Sequence, residues 1–206
     1  MVSSSAGPGE AIRIEKAAIR AAALARRDAL DAQARLAASQ GFAESGPAAL
    51  GALAGAIVSG FWPIRSELDP RWLMRKLAER GAILALPSIE GGQLVFRRFA
   101  FGDRLRRAGF GLSEPQLEAE LVSPGIMLVP LAAFDRDGGR IGYGKGYYDG
   151  AIGRLAASGA MPRTLGLAFA CQEVPAVPML EHDRRLDAIL TERELIRPGN
   201  QRPSHR

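Results

Sequence analysis

The run Ile126-Met127-Leu128-Val129-Pro130-Leu131 contains no polar residue. A strand with one wet face alternates apolar and polar residues, so an unbroken apolar run predicts a strand covered on both faces. Shortly after it comes Phe134-Asp135-Arg136-Asp137-Gly138-Gly139-Arg140-Ile141-Gly142-Tyr143-Gly144-Lys145-Gly146-Tyr147-Tyr148-Asp149, with five glycines between positions 138 and 146. A helix is expected from about 147 to 157. Buried strand, glycine-rich loop and helix in that order describe the βα turn of an α/β protein. Its backbone N–H groups suit an anion.

The rest of the chain agrees with that class. Residues 10–38 lack Pro and Gly and are rich in Ala, Leu and Arg, which predicts one long helix closed by Gly41 and Pro47. Short apolar runs predict strands at 57–62 (stopped by Pro63), 83–86, 94–99, 164–169 and 188–191. Asp69-Pro70 is expected to open a helix reaching Arg80, with Asp69 as its cap. Buried strands alternating with helices argue for a three-layer α/β/α domain around a mostly parallel sheet. A chain of 206 residues fits one such domain. We expect it over 10–196, between a disordered leader at 1–9 and a basic, flexible tail at 197–206.

Charge and cysteine content narrow the function classes. The net charge is +5, with a pI near 10.0. The tail carries +3 and the segment from Arg97 to Arg107 a further +4, which leaves the remainder mildly acidic. A general nucleic-acid binder distributes its cations otherwise. One cysteine excludes an internal disulfide, and with two histidines it offers no zinc-site spacing. No apolar run reaches the roughly 20 residues of a membrane helix, and the first residues lack secretory-signal order. A cytoplasmic location is expected, with no membrane and no obligate protein partner.

Within the loop, Arg140 and Lys145 place fixed positive charge where a phosphate would lie, and Asp149 stands one turn into the helix, suited to a magnesium ion. Residues 139–145 spell G-x-x-x-x-G-K, but Gly146 replaces the Ser/Thr of a P-loop. Arg13, Lys16, Arg20 and Arg27 fall on one helical face, either a solvated stripe or a reach toward a bound nucleotide. Asp183 and Asp187 precede an apolar strand, either as caps or as further metal carboxylates.

The run from Gly138 to Asp149 resembles the signature of the 5-formyltetrahydrofolate cyclo-ligase family, and the likeness extends from about Lys16 to Glu192. Lys16 with Arg20, Glu67, the segment Phe110-Gly111-Leu112-Ser113-Glu114-Pro115 and the span from Asp183 to Asp187 match in order. The resemblance implies a sugar-phosphate isomerase/CoA-transferase-like architecture. It also implies ATP-dependent cyclisation of 5-formyltetrahydrofolate to 5,10-methenyltetrahydrofolate, with ADP and phosphate released. A nucleotide-binding relative acting on another carboxylate or amide is the alternative. By similarity, Lys145 and Arg140 would be catalytic. Lys16, Arg20, Arg140, Ile141, Gly142, Tyr143, Gly144, Lys145, Gly146, Tyr147 and Tyr148 would contact ATP. Trp62, Glu67, Tyr143 and Tyr147 would contact the folate, and Asp149 and Asp187 would hold Mg2+. Trp62 equally suits core packing, and the tyrosines equally suit buttressing the loop. Where the family often carries arginine, this chain has Tyr143. Arg97 to Arg107 suits either a solvated linker or attraction of a folate polyglutamate chain.

Overall fold

The computed structural model describes residues 8–199. Most of the expected leader and tail therefore lies outside the described residues. A seven-stranded sheet runs in the order β11-β10-β9-β6-β1-β2-β3. Its strands are β1 Ile57–Ser59, β2 Ile83–Glu90, β3 Gln93–Arg98, β6 Ile126–Pro130, β9 Arg163–Leu167, β10 Ala188–Leu190 and β11 Leu195–Ile196. The five inner strands are parallel; β3 and β11 close the edges antiparallel. Two ribbons stand apart, β4 Leu105–Arg107 with β5 Ser113–Pro115 and β7 Ala133–Phe134 with β8 Arg140–Ile141.

Alternate residues of one strand face opposite layers. Leu84, Leu86, Leu128, Leu165 and Leu167 pack with helices α2 Ala32–Leu50 and α3 Arg71–Glu79, through Phe42, Leu73, Met74 and Leu77. Ala85, Met127, Val129 and Ile189 pack on the other face with Ala151 and Ile152 of helix α4 Tyr147–Ala157. The fold is thus the α/β class expected, with a mostly parallel sheet between helical layers.

Four local features differ from the sequence reading or go beyond it. The long first helix is two helices, α1 Pro8–Asp28 and α2, because Asp31 caps the second: its Oδ1 accepts the Ala34 N–H at 2.7 Å. Gly41 and Pro47 do not end a helix; α2 passes through both to Leu50, with Gly46 and Pro47 buried. The strand at 94–99 is antiparallel, since Gly91 and Gly92, both with positive φ, make a two-residue hairpin from β2. Helix α1 begins at Pro8, inside the expected leader.

Candidate active site

β1 and β6 are neighbours, with Val58 opposite Ile126. After β1 the chain moves outward through β2 and β3; after β6 it moves the other way through β9, β10 and β11. Ligands bind outside the carboxyl ends of the strands at such a reversal, because the departing loops diverge there. Beyond β1 come Phe61, Trp62, Ile64, Arg65 and Glu67; beyond β6 comes the glycine loop. Both segments line one cavity of about 630 Å³, within the usual size of a small-molecule site. Arg13, Lys16 and Arg20 of α1 face it as well, as do Leu112, Ser113, Glu114, Leu180, His182 and Asp183.

The glycine loop is held by a buried carboxylate. Asp135, 4% exposed, accepts the N–H groups of Asp137 (3.0 Å), Gly139 (2.8 Å) and Val177 (2.8 Å). The Arg20 Nε donates to the Gly142 carbonyl at 2.6 Å. Gly144 has φ +91° with the Arg20 guanidinium 3.4 Å from where a Cβ would stand. Gly146, in the left-handed region at φ 66°, starts α4. Lys145 is exposed at the cavity and makes no ion pair among the described residues. Arg140 is buried and already engaged: it donates to Asp149 Oδ1 at 2.7 Å and to the Arg184 carbonyl. Burial lowers its pKa, opposed by Asp149 and Asp183.

Glu67 forms a second centre. Burial pushes its carboxyl above the ordinary range, against the Ile64 N–H, the Tyr143 hydroxyl and the charges of Arg27 and Arg65. Its Oε2 accepts the Ile64 N–H at 2.9 Å. Arg27, 2% exposed, donates to the Tyr143 hydroxyl at 3.0 Å and to Ser66 Oγ at 3.0 Å. Tyr143 is pushed up to about 12, chiefly by burial and then by Glu67. Burial also raises Tyr148. Trp62 lines the cavity while meeting Phe99 edge to face, with the Arg71 guanidinium 4.9 Å from its ring centre. It thus belongs to cavity wall and core at once.

Of the residues singled out in the sequence, Lys16, Arg20, Trp62, Glu67, residues 140–148 and Asp149 all line this cavity. Asp187 does not. Its carboxylate accepts both the N–H and hydroxyl of Thr164, at 2.7 and 2.8 Å, where β9 and β10 begin. That is the amino end of the parallel strands, opposite the cavity, so Asp187 caps and is not joined to Asp149. Asp183 lines the cavity instead and pairs with Lys16. Burial alone would raise Asp183, but the bonds from Lys16 and the Leu180 N–H outweigh it and its pKa is lowered. Among the described residues no group of three potential metal ligands gathers. The donor set still fits a magnesium ion arriving with phosphates, since Mg2+ keeps most of its waters and needs one or two carboxylates. Asp149 meets that need through Oδ2, because only its Oδ1 is taken, by Arg140 and the Arg184 N–H.

The basic segment also reads differently in three dimensions. Arg97 pairs with Glu90, Arg98 with Glu120 and Arg106 with the buried Glu114. Paired cations attract a polyglutamate chain weakly, so that expectation falls on most of these arginines. Sequence reasoning missed Arg65 and the buried role of Arg27. The one hint for Arg65 was a cation two places before Glu67 in a short link from strand to helix.

A doubly wound, mostly parallel sheet with a cavity at its switch point defines the class, an α/β protein whose ligand site lies beyond the carboxyl ends of the strands. Residues 12–192 match the model of the 5-formyltetrahydrofolate cyclo-ligase family. A 5-formyltetrahydrofolate cyclo-ligase of Haemophilus influenzae is 35% identical over 63% of this chain and 72% of its own length. One of Escherichia coli is 30% identical over 65% and 76%. The solved 5,10-methenyltetrahydrofolate synthetase of Aquifex aeolicus superposes with a TM-score of 0.74 at 26% identity, covering 93% of this chain and 96% of that one. The synthetase of Mycoplasma pneumoniae, at 21% identity and a TM-score of 0.69 over 86% and 99%, shares the fold. The chain belongs to the 5-formyltetrahydrofolate cyclo-ligase family.

Proposed function

We propose that this enzyme closes 5-formyltetrahydrofolate to 5,10-methenyltetrahydrofolate at the expense of ATP. The observation that carries the reading is the meeting of two unlike centres over one cavity: the cationic loop beyond β6 and the carboxylate of Glu67 beyond β1. A formamide is a poor electrophile and its oxygen a poor leaving group. Phosphorylating that oxygen cures both faults. The formyl oxygen attacks the γ-phosphorus as ADP departs. The N10 lone pair then attacks the formyl carbon, N10 loses its proton, and the C–O bond breaks to release phosphate.

The chain's own part is positioning and charge neutralisation, which is most of what phosphoryl transfer asks of a protein. Lys145 and the loop N–H groups face the phosphates. Arg140 serves by holding Asp149 and the segment at Arg184, and Arg20 by bracing Gly142. Lys16 exchanges Asp183 for a phosphate. Asp149 would hold a magnesium ion, which supplies charge neutralisation on the phosphates. Glu67 accepts the amidine-like N–H edge of the pterin, steadied by Tyr143 and Arg27, with Trp62 and Tyr147 as walls. No helix among the described residues is long and apolar enough to cross a membrane.

The test is direct. Purified protein, 5-formyltetrahydrofolate and Mg-ATP should yield the near-ultraviolet absorbance of the methenyl product, and omission of ATP or of magnesium should abolish it. ATP binding without that band would refute the folate reading and leave another carboxylate or amide as substrate.

A further inference from the structure

Arg65 is the one non-glycine residue with positive φ, at 53°, among the described residues. A side chain bearing a Cβ is costly there, and glycine would sit without strain. The strain is held by a tight turn. The Glu67 N–H donates to the Ile64 carbonyl at 3.0 Å, and the Glu67 carboxylate takes the Ile64 N–H. Ser66 is pinned by Arg27 and bonded to Asp28. Positive φ at the second position of such a turn is the place where glycine is favoured. Arginine stands there nonetheless.

The side chain lines the cavity, yet Arg65 is exposed, so it stands on the solvent side of the site. Its guanidinium makes no hydrogen bond or ion pair within the chain among the described residues. The charge near it is Glu67, whose carboxylate is already held by the Ile64 N–H and Tyr143. The five donors of a planar guanidinium are therefore unspent at the mouth of a cavity whose inner part presents an acceptor. Guanidinium geometry matches a carboxylate in two-point contact.

We propose that Arg65 binds the substrate's trailing carboxylate, the glutamate end of the folate, and that the strained turn persists because it aims this cation at the cavity mouth. The inference rests on the folate reading for the identity of the ligand. A substrate whose pterin edge reaches Glu67 carries its carboxylates at its other end, and the long Arg65 side chain, exposed on the solvent side of the same cavity, is an unpaired cation able to meet them.

Arg65→Gly separates fold from function, because it removes the charge and relieves the turn together. Its melting temperature should stay level or rise. The KM for 5-formyltetrahydrofolate should rise by about tenfold, the scale of a lost charged hydrogen bond, while the KM for ATP stays unchanged. The pteroate analogue, which lacks glutamate, should be handled equally by both proteins. Calorimetry with p-aminobenzoylglutamate, which carries the carboxylates without the pterin, should show binding to the unaltered enzyme and about tenfold weaker binding to the variant. Unchanged affinity for that probe, an equal loss with the pteroate analogue, or a rise in the KM for ATP instead would overturn the proposal. Absence of turnover alongside Arg65-dependent binding of the probe would strike the cyclo-ligase reading alone.

Discussion

A carboxyl group whose folded-state pKa lies above its unfolded value binds protons more readily in the native protein. Glu67 is such a group, because burial outweighs the donors around it. The ligand-free fold is therefore most stable below the unfolded pKa of this carboxyl, and that contribution is lost as pH rises through the folded one. Glu67→Gln should accordingly stabilise the empty protein at neutral pH, with the advantage shrinking as pH falls through the raised pKa. Chemical denaturation across that window reads the trend, and a variant less stable at neutral pH would contradict it. Folate binding should run oppositely, weakening in the unaltered enzyme as Glu67 takes up its proton. Lys145 presents the contrasting case: an exposed cation with no fold to hold. Lys145→Ala should lower kcat by about 10²- to 10³-fold, the usual scale for removing one charge-stabilising donor, with its melting temperature unmoved. A rate within a few-fold of the original would remove Lys145 from the chemistry. The place of Lys145 at the cavity was legible because the loop's glycine spacing suits an anion. Arg65 was not, since a backbone angle leaves no mark in composition.

At the scale of elements, close packing overrules local preference in α2. A Cβ on Gly46 would stand 2.5 Å from Leu73 Cδ1, where α2 meets α3. Helix propensity alone favours alanine over glycine by about 1 kcal/mol. Forcing a methyl group into a filled contact costs about 1–3 kcal/mol, so Gly46→Ala should be net destabilising, and a raised denaturation midpoint would show that Leu73 yields freely. The same contact explains why Gly41 and Pro47 misled the reading of this stretch: with Gly46 and Pro47 buried, α2 has reason to continue to Leu50. The break at Asp31 was visible only as an aspartate three places before Ala34, lost among alanines that all favour helix. Strands fared better. An apolar run such as Ile126 to Pro130 can be buried only between two layers, whereas the β2–β3 hairpin was missed although Gly91-Gly92 spelled its turn. Asp187 and Asp149 looked alike in sequence; sheet direction separates them, since one stands where the strands begin and the other above where they end.

The molecule as a whole holds α1 differently from its other helices. Of the described side chains in α1, only those of Ala23 and Arg27 are buried, while α2 buries Phe42, Leu50 and four further residues. The apolar docking of α1 is small, Ala23 and Ile19 against Ala133, Ile141 and Val177. Polar contacts reaching far along the chain add to it: Lys16 to Asp183, Arg20 to Gly142, Arg26 to Cys171, Arg27 to Ser66 and Tyr143. Apart from the bond to Cys171, the polar contacts tie α1 to the glycine loop, to the turn bearing Glu67 and to the segment before β10, all cavity walls. An element with little apolar burial opens at lower free energy than the sheet beneath it. In the ligand-free protein, α1 amides should therefore exchange with solvent faster than those of β6 or β9. On the proposed reading, ATP held between Lys16, Arg20 and the loop would add links that exist only when α1 is docked. At a concentration about 100 times its dissociation constant a ligand stabilises the native state by about 2.7 kcal/mol. The added hydrogen-exchange protection should fall chiefly on α1, residues 140–149 and residues 180–184, with little change in β2 and β3. Uniform protection across the sheet, or α1 amides already as slow as those of β6 without ATP, would mean that α1 is part of the rigid frame rather than the wall that nucleotide binding secures.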